Sequence, residues 1–261
     1  MRRTDWAEFR APEFDSIDEM RTIAILPTAA IEQHGPHLPV GVDTLIAEGM
    51  LGELRRILPV DLDVRILPVQ SVGKSNEHLW AAGTLTLTAE TALRAWTEIG
   101  LSVGRAGIRK IVFVNSHGGN LDLVSIICRE LRVQAGMLAV KSQWSGFGLP
   151  DKMFTDRERM IGIHGGDMET SLMLHFHPEL VDLSRARDFS STAETDDIPP
   201  TGPTSYGWIA RDINADGVAG DATAATAAKG AAVATHQATA FVALLRKVEA
   251  MGLERFCSGS D

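Results

Sequence analysis

Four side chains of the types that bind divalent cations, Glu32, His34, His37 and Asp43, fall within the segment IEQHGPHLPVGVD at residues 31–43. Glu32 and His34 are two apart, so in an extended segment both point to the same side. Gly35, Pro36, Pro39 and Gly41 then turn the chain, a return that can bring Asp43 beside the pair. Two carboxylates and an imidazole suit Zn, Mn or Fe, because borderline divalent ions accept mixed nitrogen and oxygen donors. A polar surface loop is the alternative reading of these residues.

A second cluster, NSHGGN at 115–120, offers His117 between Asn115 and Asn120. His117 alone reads equally as a capping or packed histidine and as a ligand. The amides of Gly118 and Gly119 at a helix start are also suited to an anion. Joined to the first cluster, His117 supplies the imidazole that a second ion needs. The third cluster, IHGGDMETS at 163–171, holds His164, Asp167 and Glu169, of which the two acids also read as ordinary first-turn carboxylates. His78, in the loop SNEHLWAAGT, lines a pocket or serves structure. His175 and His177 fall on different helix faces, so they form no paired site. His236, among alanines, is a helix residue at the surface or in the core. Cys128 lies in an apolar helical stripe, which fits burial better than nucleophilic catalysis. Neither a G-x-S-x-G elbow nor a P-loop lysine is present, which disfavours Ser-triad hydrolysis and nucleotide phosphoryl transfer.

The elements around these clusters alternate between strand and helix, the pattern of a parallel sheet covered on both faces. Strands are expected at 22–26, 64–69, 110–114 and 137–140, and helices at 45–58, 89–106, 121–134, 167–177 and 222–251, the last closed by Gly252. Residues 70–86 and 196–203 read as loop. The first cluster follows the first strand, NSHGGN follows KIVFV, and Trp144 follows MLAV. All stand past the carboxyl ends of strands, the edge where open α/β sheets bind ligands.

Composition narrows the partners. The 261 residues carry 25 Lys and Arg against 34 Asp and Glu, a net charge of −9, and the basic residues are scattered. Nucleic acid and an anionic membrane surface are therefore disfavoured. No apolar run approaches the ~18 residues of a spanning helix, and MRRTDWAEFR has no apolar stretch behind its arginines, so a cytoplasmic protein is expected. Two cysteines, Cys128 and Cys257, exclude a disulfide framework. The length suits one large core, hence one domain over residues 1–261.

EQHGPHLPVGVD, NSHGGN, HGGDMETSLML and GVAGDATAATAAKG, in this order, resemble the motifs of the creatininase (creatinine amidohydrolase) family. The resemblance runs from about Thr22 to the final helix. It implies a three-layer α/β/α sandwich with a mostly parallel central sheet, commonly in a homohexamer. It also implies two metal ions per subunit held by Glu32, His34, Asp43 and His117, with Asp43 bridging. In creatininase a glutamate two residues after the second-motif histidine is a further ligand, and Gly119 stands there in this chain. Glu169 is the expected substitute, with His164 acting on the leaving nitrogen. The tryptophan that precedes HGG in creatininase has no counterpart in ERMIGIHGG, which speaks against creatinine as the substrate, whereas Trp144 matches the family's other ring-packing tryptophan. His78, Trp144 and Asn120 are the expected substrate contacts. The expectation is a dinuclear metal amidohydrolase cleaving a C–N bond, other than a peptide bond, of a small and perhaps cyclic amide. Peptide trimming, lactone or C–C hydrolysis, and a catalytically inactive metal-binding protein are the alternatives.

Overall fold

The computed structural model describes residues 2–257. Four strands, β1 (Ile23–Thr28), β2 (Val64–Ile66), β3 (Lys110–Asn115) and β4 (Leu138–Gln143), form a sheet in the order β2-β1-β3-β4. Every pairing is parallel, and the register sets Thr28 beside Asn115 and Asn115 beside Gln143. That row ends the strands on one line, from which the site is built.

Side chains alternate across the sheet as the two-residue period requires. Ile23, Ile25, Val112 and Val114 pack to one face, with α1 (Val42–Ile57), α5 (Asp167–Phe176) and α7 (Ala227–Ala250). Ala24, Leu26, Ile111 and Phe113 pack to the other, with α2 (Ala89–Arg105) and α3 (Leu121–Ala135). The result is the expected α/β/α arrangement. Burial on both faces is why β1 and β3 read as unbroken apolar runs. Phe241 anchors one layer and Trp96 the other, and truncating either buried ring to alanine would cost about 3–5 kcal/mol. The helices start on local caps: Thr88 accepts from Thr91 N before α2, and Thr226 from Lys229 N before α7. Gly136, with φ of +61°, closes α3 in the left-handed conformation.

Several boundaries differ from the sequence-based expectation. Helix α1 begins at Val42, three residues early, so Asp43 lies in its first turn and not in the preceding loop. Helix α7 begins at Ala227, because Thr226 caps it and 222–224 form a separate tight turn under Asp221. Its end is not a glycine cap: Met251 N bonds back to Val248 O before Gly252 is reached. Strand β2 stops at Ile66, and beyond Pro68 only Gln70 bridges back to Thr28. The sequence also gave no sign of α4 (Asp156–Ile161), of α6 (Ala210–Ile213), or of the antiparallel ribbon of β5 (Asp188–Phe189) with β6 (Gly220–Asp221). Two to six residues are too few to show a period. Among the described residues no helix is long and apolar enough to cross a membrane.

Candidate metal centre

Glu32 and His34 follow β1 on a loop closed by the bond from Glu32 N to Val40 O, 2.8 Å. That closure is the return expected from the glycines and prolines, and it delivers Asp43 to the first turn of α1. His117 follows β3, and Glu169 lies in the first turn of α5. Both Asp43 and Glu169 thus stand at helix N-termini, where the peptide dipoles favour a negative charge.

These five side chains converge. His117 Nδ1 is 3.2 Å from Glu32 Oε1 and 3.4 Å from Asp43 Oδ2. On the other side of Asp43, His34 Nε2 is 3.7 Å from Asp43 Oδ1 and 3.9 Å from Glu169 Oε2. Glu32, Asp43 and His117 form one group whose donor atoms all lie within 4.8 Å of one another, and His34, Asp43 and Glu169 form a second. Asp43 belongs to both. Glu32 Oε2, His34 Nε2 and Asp43 Oδ2 are buried without any hydrogen-bond partner. Leaving such atoms unsatisfied costs on the order of 1–3 kcal/mol each, more where a charge is involved. A carboxylate-rich set of two groups sharing Asp43, with buried donor atoms left without hydrogen bonds, is what a pair of divalent cations would satisfy, so the residues fit such ions.

The protonation behaviour agrees. Burial opposes a charge on His34, yet Asp43, Glu169 and Glu32 outweigh it and raise its pKa to about 9. His117 likewise rises to about 10 against its burial, driven by Glu32, Asp43 and Glu77. Burial lifts Glu169 to about 7.

A second ring of residues holds the first. His34 Nδ1 lies 3.0 Å from Glu32 O, so this nitrogen carries a proton and Nε2 is the edge turned to Asp43 and Glu169. His164 Nε2 lies 2.7 Å from Gln33 O, which fixes its proton there too and leaves Nδ1 as an acceptor 3.6 Å from Glu32 Oε1. His164 stacks between His34 and His78, with ring centres 4.1 and 4.4 Å away. Burial, then the charge on His34, keeps it neutral. His78 Nε2 is 3.6 Å from Glu32 Oε1. Glu169 Oε2 accepts from Gly165 N at 2.6 Å.

Other residues of the sequence clusters go elsewhere. His37 belongs to neither group: its Nε2 bonds to Gly165 O and Thr170 Oγ1, and its ring stacks on Phe189, tying the first motif to the third. Asn120 is fully buried, donates to Ala29 O and Asn115 Oδ1, and accepts from Lys74 N. It braces the loop at 74 and lines neither of the clefts described below. Asp167 pairs with Lys229 and Ser171 on the helix layer. The Cys128 thiol is raised to about 12 by burial, which leaves it unreactive.

Two clefts meet at the centre. One, of about 400 Å³, is lined by Trp144, Gln143, Met168, Leu172 and Glu169. The other, of about 520 Å³, is lined by Glu32, His78 and His164 on one side and Tyr206, Trp208 and Ile209 on the other. His117, Gly118, Leu121, Ile163 and Thr201 border both.

Three contributors escaped sequence reasoning. Gln33 lies between two candidate ligands; its Oε1 accepts from Gly35 N, and its amide reaches Gly217 O and His78 Nδ1. Glu158 is buried on α4, accepts from Asp167 N and Asp221 N, and fills the space where Gly162, Gly166 and Gly220 lack side chains. It thereby joins the HGGD and GVAGD segments, and the clustering of glycines around both motifs was the available signal. Glu77 lies beside His117, in a loop that no spacing marks.

Comparisons with known proteins follow this geometry. A family model described as creatinine amidohydrolase matches residues 7–245. The mycofactocin precursor peptide peptidase of Mycolicibacterium smegmatis is 31% identical over 216 residues, covering 82% of this chain and 80% of the relative. The creatinine amidohydrolase of Pseudomonas putida is 30% identical over 196 residues, covering 69% and 75%. Among solved structures, a creatininase described as its Mn form superposes with a TM-score of 0.74 at 24% identity over 94% of this chain and 98% of that one. A mutant creatininase complexed with creatine gives 0.77 at the same identity, covering 96% and 100%. The fold is therefore that of creatininase, and the chain belongs to the creatininase family.

Proposed function

We propose that this protein is a metal-dependent amidohydrolase in which Glu32, Asp43 and His117 hold one divalent cation and His34, Asp43 and Glu169 hold a second. The observation that carries the reading is Asp43, whose Oδ1 faces His34 and whose Oδ2 faces His117 while making no hydrogen bond. Mn and Zn are the first candidates, since solved creatininases are described as Mn and Zn forms, and Fe suits the same donors. Such a pair supplies polarisation of an amide carbonyl and a water acidic enough to attack near neutral pH. The residues do the rest. His164, with Nε2–H pinned to Gln33 O, offers Nδ1 as the proton acceptor beside the attacking water and then returns that proton to the departing nitrogen. Glu32 and Glu169 close the two ends of the set, and Trp144 and His78 contact substrate, one from each cleft.

The substrate is an amide C–N bond. Small amides, cyclic ones included, fit either cleft. A second reading, an amide within a short peptide, is favoured by two clefts that share a wall at the candidate centre and by the peptidase relative. The test is a screen of the metal-reconstituted protein against cyclic amides, formamides and short peptides, followed by mass spectrometry. Metal-dependent hydrolysis of one class supports the reading. Full metal loading without hydrolysis of any class favours an inactive metal-binding protein. A homohexamer is proposed from the resemblance and a cytoplasmic location from the composition, and a sedimentation mass equal to the 28.2 kDa monomer would rule the assembly out.

A further inference from the structure

Gly119 stands two residues past His117, and the space a side chain would take there is already filled. A Cβ on Gly119 would lie 2.5 Å from Glu77 Oε1, 2.5 Å from His117 Nε2 and 2.3 Å from Lys74 O. All three are far inside contact distance, so only glycine fits beside this arrangement.

What fills the space is a carboxylate on the far edge of a candidate ligand. His117 Nε2 is 2.9 Å from Lys74 O, and a carbonyl only accepts, so Nε2 carries a proton and Nδ1 is the nitrogen turned to Glu32 and Asp43. Glu77 Oε1 lies 3.5 Å from the same Nε2, and Ser75 Oγ 3.3 Å from it. The Glu77 side chain is 13% exposed. Its carboxylate also comes within 4.8 Å of donor atoms on Glu32 and His78. Lys74 Nζ, 3.7 Å away, balances part of its charge.

We propose that Glu77 is a positioning residue of the metal pair: with the Lys74 carbonyl it faces the Nε2–H edge of His117, holds Nδ1 toward Glu32 and Asp43, and occupies the room that Gly119 leaves. The inference rests on the dinuclear reading above. A carboxylate behind a ligating histidine fixes the ring's tautomer and orientation, and losing such a partner weakens metal binding or activity by about 10–100-fold. Because Glu77 touches His117 and neither His34 nor Glu169 by any recorded contact, its effect is confined to one ion.

The test is chelator competition for Zn(II) on the wild-type protein and on Glu77→Gln, Glu77→Asp and Gly119→Ala, with melting curves to verify folding. The wild type should hold two ions. Glu77→Gln should weaken one by about 10–100-fold and leave the other unchanged. Glu77→Asp should recover part of the loss, and Gly119→Ala, which displaces the carboxylate without removing it, should weaken the same ion. A general packing defect would instead move both affinities together or neither. Two unchanged affinities in both Glu77→Gln and Gly119→Ala would overturn the inference and leave the dinuclear reading intact. Fewer than two ions on the wild type would overturn that reading, and this inference with it.

Discussion

The two halves of the candidate metal centre are built differently. In the His117 half, the ring is backed by the Lys74 carbonyl, Ser75 and Glu77, and Glu32 is 1% exposed. In the His34 half, the ring bonds to the Glu32 carbonyl and lies against the His164 ring, and Glu169, 15% exposed, lines the cleft that contains Trp144. Both halves border clefts, but the His117 ring is braced by the distant segment at 74–77, whereas the His34 ring is braced within its own motif and by His164. On the proposed dinuclear reading, the more fully braced His117 half should bind its ion more tightly than the His34 half, with Asp43 coupling the two.

Removing that coupling gives the largest effect. Asp43→Ala should lose both ions and all hydrolysis, measured by elemental analysis after gel filtration; two retained ions per chain would contradict the shared role of Asp43. Glu169→Gln isolates the His34 half. It should lose one ion together with activity while the ion of the His117 half stays. If both sites remain fully loaded, Glu169 instead orients the attacking water or a ligand.

His164 stands outside both halves and should separate chemistry from binding. His164→Asn should keep both ions yet lower kcat by about 10²- to 10⁴-fold, the range lost when a general acid–base is removed. A fall in metal content in step with kcat would make it a ligand, which its proximity to Glu32 and His34 permits.

The smallest effect is on stability. In the metal-free protein the folded pKa values of His34 and His117, about 9 and about 10, exceed the ordinary value of 6.5. Their contribution is therefore complete below about pH 6.5 and is lost as pH rises toward 10. The depressed values of His37 and His78, about 4 for each, act in the opposite sense, but that contribution is already complete above pH 6.5. The Tm of chelated protein should fall across pH 6.5–10, and saturating Zn(II) or Mn(II) should flatten the slope by replacing the protons. A chelated protein whose Tm does not fall in that window would contradict the buried charge balance.

The same contrast explains what the sequence disclosed. The strands and long helices were legible because burial on both sheet faces leaves apolar runs at Ile23–Leu26 and Ile111–Val114, and amphipathic periods in α2 and α3. Glu32, His34, Asp43 and His117 were legible because they stand beside strand ends in turn-rich motifs. Glu169 joins His34 and Asp43, but the space beside Gly119, for which it was the expected compensation, belongs to Glu77. Glu77, Gln33 and Glu158 were not legible, since each acts across 40 residues or more through a contact that only the folded chain creates. Asn120, an expected substrate contact, spends its amide on the Lys74 and Ala29 backbone and on the Asn115 side chain, contacts that likewise only the folded chain creates.

The central claim is that two ions share Asp43 and work together. The most direct test is to strip the protein with chelator, return Zn(II) or Mn(II) in measured equivalents, and follow bound metal and amide hydrolysis in the same samples. The account predicts binding in two steps, tight and then weaker, with hydrolysis appearing only as the second equivalent binds. Full activity with one equivalent or none would contradict it.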